Sequence, residues 1–306
     1  MMMNHIPIGE VRRMLAEVPG LAGVGFGLKE TGGKLTQTSA WRIYVAKKLP
    51  KWRLPQSERI PTTLLGLPTD VLESGPMFTP SRGGPENSLE GAMIANGKGV
   101  PGTLGCWAVY EATKQPVLLS NYHVLFGRGC KRGDTIWKVQ RRGAEDHYEP
   151  IGKILTGKAA TVSYRGTDYF IDAAIAEADV LHDDATQQAD TVGGAGEAML
   201  GSVVSKVGAA TQRTFGTIVD FCYPDQWYCE LRSANAPNQL LIQPIPDGTD
   251  DEIKVFSRLG DSGAVIRDES GCVVGLLWES NARGEGVACH IGPVVSELGI
   301  RFGTTE

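Results

Sequence analysis

Near the start of the chain Val11, Met14, Leu15 and Val18 recur at helical spacing, and Pro19-Gly20 ends the run, which predicts a short amphipathic helix. The period then changes. Val24, Phe26 and Leu28 alternate with small residues, and Trp41, Ile43 and Val45 alternate with Arg42 and Tyr44. Two alternating runs joined by the polar segment ETGGKLTQ predict a β-hairpin, and Leu67 to Leu72 a third strand. Residues 1–78 therefore read as a small α/β domain.

Residues 74–90, rich in Pro, Gly and Ser, read as an extended connection. Short apolar runs between glycine-rich turns then fill 91–181. A second polar, glycine-rich stretch covers 182–198. Runs such as SVVSKVG, TFGTIVDF, QLLIQPI and CVVGLLW occupy 199–292, and the spacing in PVVSELGI predicts a closing helix over 293–299. The order is a small α/β piece followed by two β-rich halves of similar size.

Composition supports a β-rich reading. The 306 residues include 39 Gly and 17 Pro, above average usage, so turns are frequent. Hydrophobic residues make up 42% and charged residues 21%, which argues against wholesale disorder. The net charge of −5 lacks the basic excess of a general nucleic-acid binder. No apolar stretch reaches the length of a membrane span, and the first residues lack a signal-peptide pattern, so a cytoplasmic protein is expected. Its six cysteines then read as thiols, with a Cys222–Cys229 pair across a hairpin as the alternative. No metal or cofactor site is expected. Charge is uneven: residues 1–80 carry +4 and the remainder −9, which reads as solvated faces, with electrostatic docking of the first part on the second as the sharper alternative.

Three segments carry candidate chemistry. LLSNYHVL holds His123 just after an apolar strand, DYFIDAAIAEAD holds Asp172 in a strand-like run, and RLGDSGAVI holds Ser262 in a glycine-flanked turn. A hydroxyl is a weak nucleophile at neutral pH. It needs a base to take its proton, and the base needs a partner that fixes its tautomer. Histidine suits the first role and a carboxylate the second. Asp168 competes with Asp172, which is favoured because the apolar residues around it place it at a buried strand end. Gly260 permits a turn in which its N–H and that of Ser262 point the same way, two donors for the oxyanion of a tetrahedral intermediate. Gly263 leaves room for a substrate, and Asp261 is free to anchor the loop internally.

These segments resemble the chymotrypsin-like (trypsin-like) serine peptidases over roughly residues 95–300, in particular the bacterial cytosolic type with an N-terminal extension. GDSG at 260–263 matches the nucleophile motif, SNYHVL the histidine motif and DAAI the aspartate motif of bacterial members. KVGAATQRTFGTIVD is similar to the strand pair that opens the second barrel, and VVGLLWES to the strand lining the substrate cleft. The resemblance implies a mainly β fold of two six-stranded barrels, here preceded by the small α/β domain, with a barrel at about 91–181 and another at about 199–292. It implies His123 as general base, Asp172 as its partner, Ser262 as nucleophile, and the amides of Gly260 and Ser262 as the oxyanion hole. Phe256, Trp278 and Glu279 are expected at the substrate pocket.

The sequence also departs from the family. No IVGG-like start precedes the first barrel, so activation by a freed amine pairing with Asp261 is not expected. Phe256, six residues before the nucleophile, offers no countercharge to a basic side chain.

Other signals are weaker. GVGFG at 23–27 lacks the lysine of a phosphate loop and alternates like a strand. Asp250, Asp251 and Glu252 lack calcium-loop spacing. The residue after Gly263 is alanine, and the order His, Asp, Ser reverses that of α/β-hydrolases. The expectation is a serine endopeptidase acting on a protein or peptide, held latent until triggered, with a regulatory partner at residues 1–78. The alternative is a catalytically silent binding module on the same fold. Neither nucleic acid nor membrane is expected as a partner.

Overall fold

The computed structural model describes residues 6–16, 18–45, 48–73, 89–142, 145–178, 193–225, 236–245 and 255–303, which are mainly β. Both foreseen connections, Cys229 and the acidic run at 250–252 fall largely or wholly outside these residues.

The N-terminal part consists of α1 (Ile8–Met14), β1 (Leu21–Thr31), β2 (Lys34–Val45), β3 (Thr63–Leu64) and β4 (Leu67–Glu73). The expected hairpin is present, and β4 pairs with β2 in parallel from Trp41↔Thr69 to Val45↔Glu73. Of the helical stripe, Val11 and Leu15 are buried, whereas Met14 is exposed.

Next comes an antiparallel sheet built from β5 (Met93–Asn96), β6 (Pro101–Thr103), β7 (Cys106–Tyr110), β8 (Pro116–Ser120), β9 (Thr135–Arg142), β10 (Glu145–Tyr164) and β11 (Thr167–Ala178). The short helix α2 (Tyr122–Leu125) follows β8 directly. The second β unit contains β12 (Gly193–Ala195), β13 (Val203–Gly208), β14 (Gln212–Asp225), β15 (Ala236–Pro244), β16 (Val265–Asp268), β17 (Cys272–Ser280) and β18 (Gly286–His290). The order β13-β16-β17-β18-β15-β14, with β14 pairing back to β13, closes a six-stranded barrel. The expected closing helix is α3 (Ile291–Leu298), and β19 (Ile300–Arg301) then returns to pair with β7, giving the first sheet the order β19-β7-β8-β11-β10-β9-β5-β6. Side chains of both sheets share one core, in which Leu119 and Ile171 belong to the same cluster as Val265, Trp278 and Cys289.

The N-terminal elements do not keep a core to themselves. Their sheet joins the barrel where β1 meets β14, at Gly27↔Asp220. A Cβ on residue 27 would lie 1.8 Å from the Val219 carbonyl oxygen, so glycine is what lets the two strands approach. Phe26, Trp41 and Ile43 share a cluster with Ile218, Phe221, Leu240 and Ile242 of the barrel, and Phe26 meets Phe221 edge-on at 5.8 Å. The charge imbalance suggested an electrostatic contact, but this seam is largely apolar. One surface ion pair, Arg283 Nη2 to Glu30 Oε2 at 3.3 Å, places the acid on the basic N-terminal part, while the buried attraction of Arg42 to Asp220 runs in the expected sense.

Buried within the seam is one polar network. Asp220 accepts from the amides of Phe26 (3.2 Å) and Cys222 (2.9 Å) and from the Tyr44 hydroxyl (2.8 Å). Arg42 Nε donates to the Tyr44 hydroxyl at 3.0 Å, and its Nη1 to the Leu28 carbonyl at 2.6 Å. Burial pushes the Asp220 carboxyl up to about 6, against the pull of Arg42 and these hydrogen bonds.

Candidate active site

β8 is apolar through Leu119 and ends at Ser120, where the chain turns into α2 and carries His123 to the edge of the first sheet. β11 runs beside β8 from Glu177↔Val117 to Ala174↔Ser120, and Asp172 lies two residues beyond the last pair. There its carboxylate reaches His123 twice: Oδ1 accepts the His123 amide at 3.0 Å and Oδ2 lies 2.6 Å from Nδ1. A carboxylate on Nδ1 stabilises the tautomer with its proton there, leaving Nε2 as acceptor. Asp172 is fully buried, while the His123 side chain is 17% exposed. Asp168, the competing residue, is exposed, and its carbonyl accepts from Asn238 Nδ2 at 2.7 Å.

The main chain of Asp172 is held by two further side chains. Asn121 Nδ2 donates to its carbonyl at 2.6 Å, and its amide donates to Cys289 Sγ at 3.3 Å. Burial and the neighbouring carboxylate push the Cys289 thiol well above its usual range, so it is an uncharged acceptor.

Ser262 lies in the turn between β15 and β16, 6% exposed, and its Oγ donates to the Trp278 carbonyl at 3.1 Å. The turn packs on the first sheet. Thr103 donates its amide to the Ser262 carbonyl (2.7 Å) and its hydroxyl to the Gly260 carbonyl (2.6 Å). Gly263 has φ +101°, and a Cβ there would meet Ser120 Oγ at 2.4 Å, three residues before His123. The turn therefore sits against the strand end that leads to His123. The amides of Asp261 and Gly263 donate to Arg258 O and Leu277 O, but among the described residues those of Gly260 and Ser262 donate to nothing.

Asp261 turns inward and anchors the loop. Its Oδ1 accepts from the amides of Ala210 (2.9 Å) and Thr211 (3.0 Å), and its Oδ2 from the Thr211 hydroxyl (2.7 Å) and the Arg258 amide (3.0 Å). The countercharge is Lys206, whose Nζ lies 3.3 Å from Oδ2 with both side chains fully buried. Burial lowers the Lys206 ammonium, and Asp261 opposes that shift. An internal lysine thus supplies the countercharge to Asp261.

Of the three residues expected at a pocket, Trp278 and Glu279 lie on β17 beside the Ser262 turn, both buried. Phe256 is also fully buried, in the same core cluster as Ile242, Ile266 and Leu277. Its amide donates to Gly284 O and its carbonyl accepts from Thr214 Oγ1, each at 2.7 Å. Phe256 is a core residue of the barrel.

Asn121, Lys206 and Gln239 were not singled out in the sequence. Gln239 bridges the sheets, accepting from Trp278 Nε1 at 2.8 Å and donating to Phe170 O at 2.9 Å. A lysine at the alternating inward position of SVVSKVG is a legible signal, because Val204, Lys206 and Gly208 are the buried set. Among the described residues no group of three or more His, Cys, Asp or Glu could hold a metal, and no helix is long and apolar enough to cross a membrane.

A six-stranded barrel facing a second antiparallel sheet, with the His, Asp and Ser segments in that order, is a chymotrypsin-like arrangement. No protein-family model and no curated protein matches the chain. Among solved structures it is similar to the Nocardiopsis protease NAPase, with 17% identity and a TM-score of 0.44. Cellulomonas bogoriensis chymotrypsin gives 15% and 0.43, and Thermobifida fusca protease A 15% and 0.44. Each comparison covers 71% of this chain and 98% of the other.

Proposed function

We propose that the protein is a serine endopeptidase that hydrolyses peptide bonds through an acyl-enzyme on Ser262. The observation that carries this reading is the 2.6 Å contact of Asp172 with His123 Nδ1, beside a turn whose Gly260 and Ser262 amides donate to nothing else among the described residues. In the proposed reaction His123 Nε2 takes the Ser262 proton as Oγ attacks the scissile carbonyl carbon. The two amides receive the oxyanion, and Asp172 stabilises the imidazolium. His123 then returns the proton to the leaving amine. Water, activated by the same imidazole, releases the acid and regenerates the hydroxyl.

One observation favours a latent state. The Ser262 hydroxyl is engaged with the Trp278 carbonyl, so attack requires it to exchange that acceptor for His123.

A fluorophosphonate probe tests the reading. Labelling is expected on the wild type, absent in Ser262→Ala and slowed about 10³-fold or more in His123→Ala, because the members of a triad act as a unit. Equal labelling of wild type and Ser262→Ala would overturn it.

A further inference from the structure

Asn121 occupies the residue before the first turn of α2, where an asparagine side chain ordinarily accepts a hydrogen bond from the amide two or three residues on. Here it makes no such bond. The His123 amide, two residues on, is taken instead by Asp172 Oδ1 at 3.0 Å. Asn121 in turn donates Nδ2 to the Asp172 carbonyl at 2.6 Å. The two residues have exchanged roles: the aspartate caps the helix that carries His123, and the asparagine grips the aspartate's main chain.

The sheet explains why that grip is needed. β8 stops pairing with β11 at Ser120↔Ala174, because the chain leaves to form α2. The Asp172 carbonyl and amide beyond that point are met by side chains, Asn121 on one and Cys289 Sγ on the other. Asn121 is fully buried, and its Oδ1 has no hydrogen-bond partner among the described residues. A buried acceptor without a donor is unfavourable, so an amide placed only to fill space or cap a helix would not be held in this orientation. The orientation serves the donor, and the donor serves Asp172.

We propose that Asn121 is the positioning residue of the His123–Asp172 pair, holding the carboxylate at the distance that orients the ring and stabilises its protonated form. The inference rests on the peptidase reading only for its effect on rate. Its effect on the His123 ring holds whatever the chain's activity.

The discriminating variant is Asn121→Ser. Serine is an equally good helix cap but is too short to reach the Asp172 carbonyl. The His123 titration midpoint is measured by NMR in full-length protein, alongside fluorophosphonate labelling of Ser262 and a thermal melt. Asn121→Ser is expected to lower the midpoint by about one unit, through weaker contact with the carboxylate. It is also expected to slow labelling about tenfold or more, with the melting temperature within a few degrees of wild type. An unchanged midpoint and rate in the folded variant would overturn the proposal. So would a rate loss that only follows the unfolded fraction. Should the variant fail to fold, the wild type supplies the test: the Asn121 side-chain amide signals should move with the same midpoint as the His123 ring, and signals indifferent to that titration would overturn the proposal. A wild type that is not labelled at all, but whose His123 midpoint falls in Asn121→Ser, would remove the peptidase reading and leave the positioning role standing.

Discussion

The six-stranded barrel has two seams, and each is organised around a fully buried aspartate. At the seam with the first sheet, Asp172 accepts a main-chain amide and one further partner, the His123 ring, which is partly open to solvent. At the seam with the N-terminal strands, Asp220 accepts two main-chain amides and the Tyr44 hydroxyl, which is itself bonded to Arg42, and all of these groups are buried. The device is the same: amides hold a desolvated carboxylate in place. What differs is the last partner. A titratable ring at the solvent edge can pass a proton onward, whereas a phenol backed by a guanidinium in a closed interior can only tie strands together. Burial of a charged residue is therefore common to both seams; what separates them is the exit from the hydrogen-bond chain.

The largest test exchanges the two aspartates' fates. Asp172→Asn is expected to slow fluorophosphonate labelling of Ser262 about 10⁴-fold, since an amide fixes the wrong tautomer of the ring. Asp220→Asn is expected to leave labelling within about threefold while lowering the melting temperature. Equal rate losses in the two variants would break the distinction between the seams.

Next in size is the loop that presents Ser262. Lys206→Met leaves Asp261 buried without its countercharge, which costs about 3–5 kcal/mol, measured by urea unfolding. Labelling should fall as well, because Asp261 holds the loop that carries the Gly260 and Ser262 amides. The double variant Lys206→Met/Asp261→Asn should recover part of the lost stability. No recovery would mean that the lysine acts through packing alone.

Much of this was legible in the sequence, and the failures share a cause. The β1–β2 hairpin, the closing helix and the three segments that hold His123, Asp172 and Ser262 are local patterns, and the period and turn residues report them directly. That Asp172 rather than Asp168 meets His123 was also legible, from the apolar residues around Asp172. Two things were not. One is the joining of the N-terminal strands to the barrel, which depends on a long-range strand pairing at Gly27↔Asp220. The glycines of LAGVGFGL read as the small half of a strand, when one of them marks where another backbone passes. The other is Phe256, whose spacing before the nucleophile suggested a pocket but whose ring lies in the barrel core. Sequence distance from Ser262 fixes where a residue's backbone sits, not which way its side chain turns.

His290 connects the seams and gives a pH signature. It follows Cys289 on β18, and its Nε2 donates to the carbonyl of Phe221, a residue of the N-terminal seam, at 2.8 Å. Burial pushes its ring down to about 4, from an ordinary value near 6.5. At this ring the folded state thus binds fewer protons than the unfolded chain between these values. The contribution of His290 to stability is full above pH 6.5 and is lost as pH falls toward 4, by roughly 3 kcal/mol, while Asp220, whose carboxyl is raised to about 6, gains stability over nearly the same window and offsets that loss. Chemical denaturation at pH 7 and pH 4.5 should read the His290 share as the difference between the two proteins, His290→Gln losing less on acidification than the wild type. An equal loss in the variant would assign the acid sensitivity to other groups.

The smallest expected effect is the sharpest test of a seam that only ties. Tyr44→Phe removes one oxygen, which accepts from Arg42 Nε at 3.0 Å and donates to Asp220 at 2.8 Å. The ring remains, so its edge contact with Tyr223 at 4.8 Å persists, and the packing of β2 on β14 is unchanged. The buried guanidinium and carboxylate each lose a partner, which should destabilise the protein by about 2 kcal/mol. If the N-terminal seam is adhesive, labelling of Ser262 should stay within about threefold at temperatures where the variant is folded, and the loss should appear in the denaturation midpoint alone. A rate that falls more than tenfold in the folded variant would show that the two seams communicate, and the distinction between a carboxylate that faces a titratable ring and one that binds strands would no longer describe this molecule.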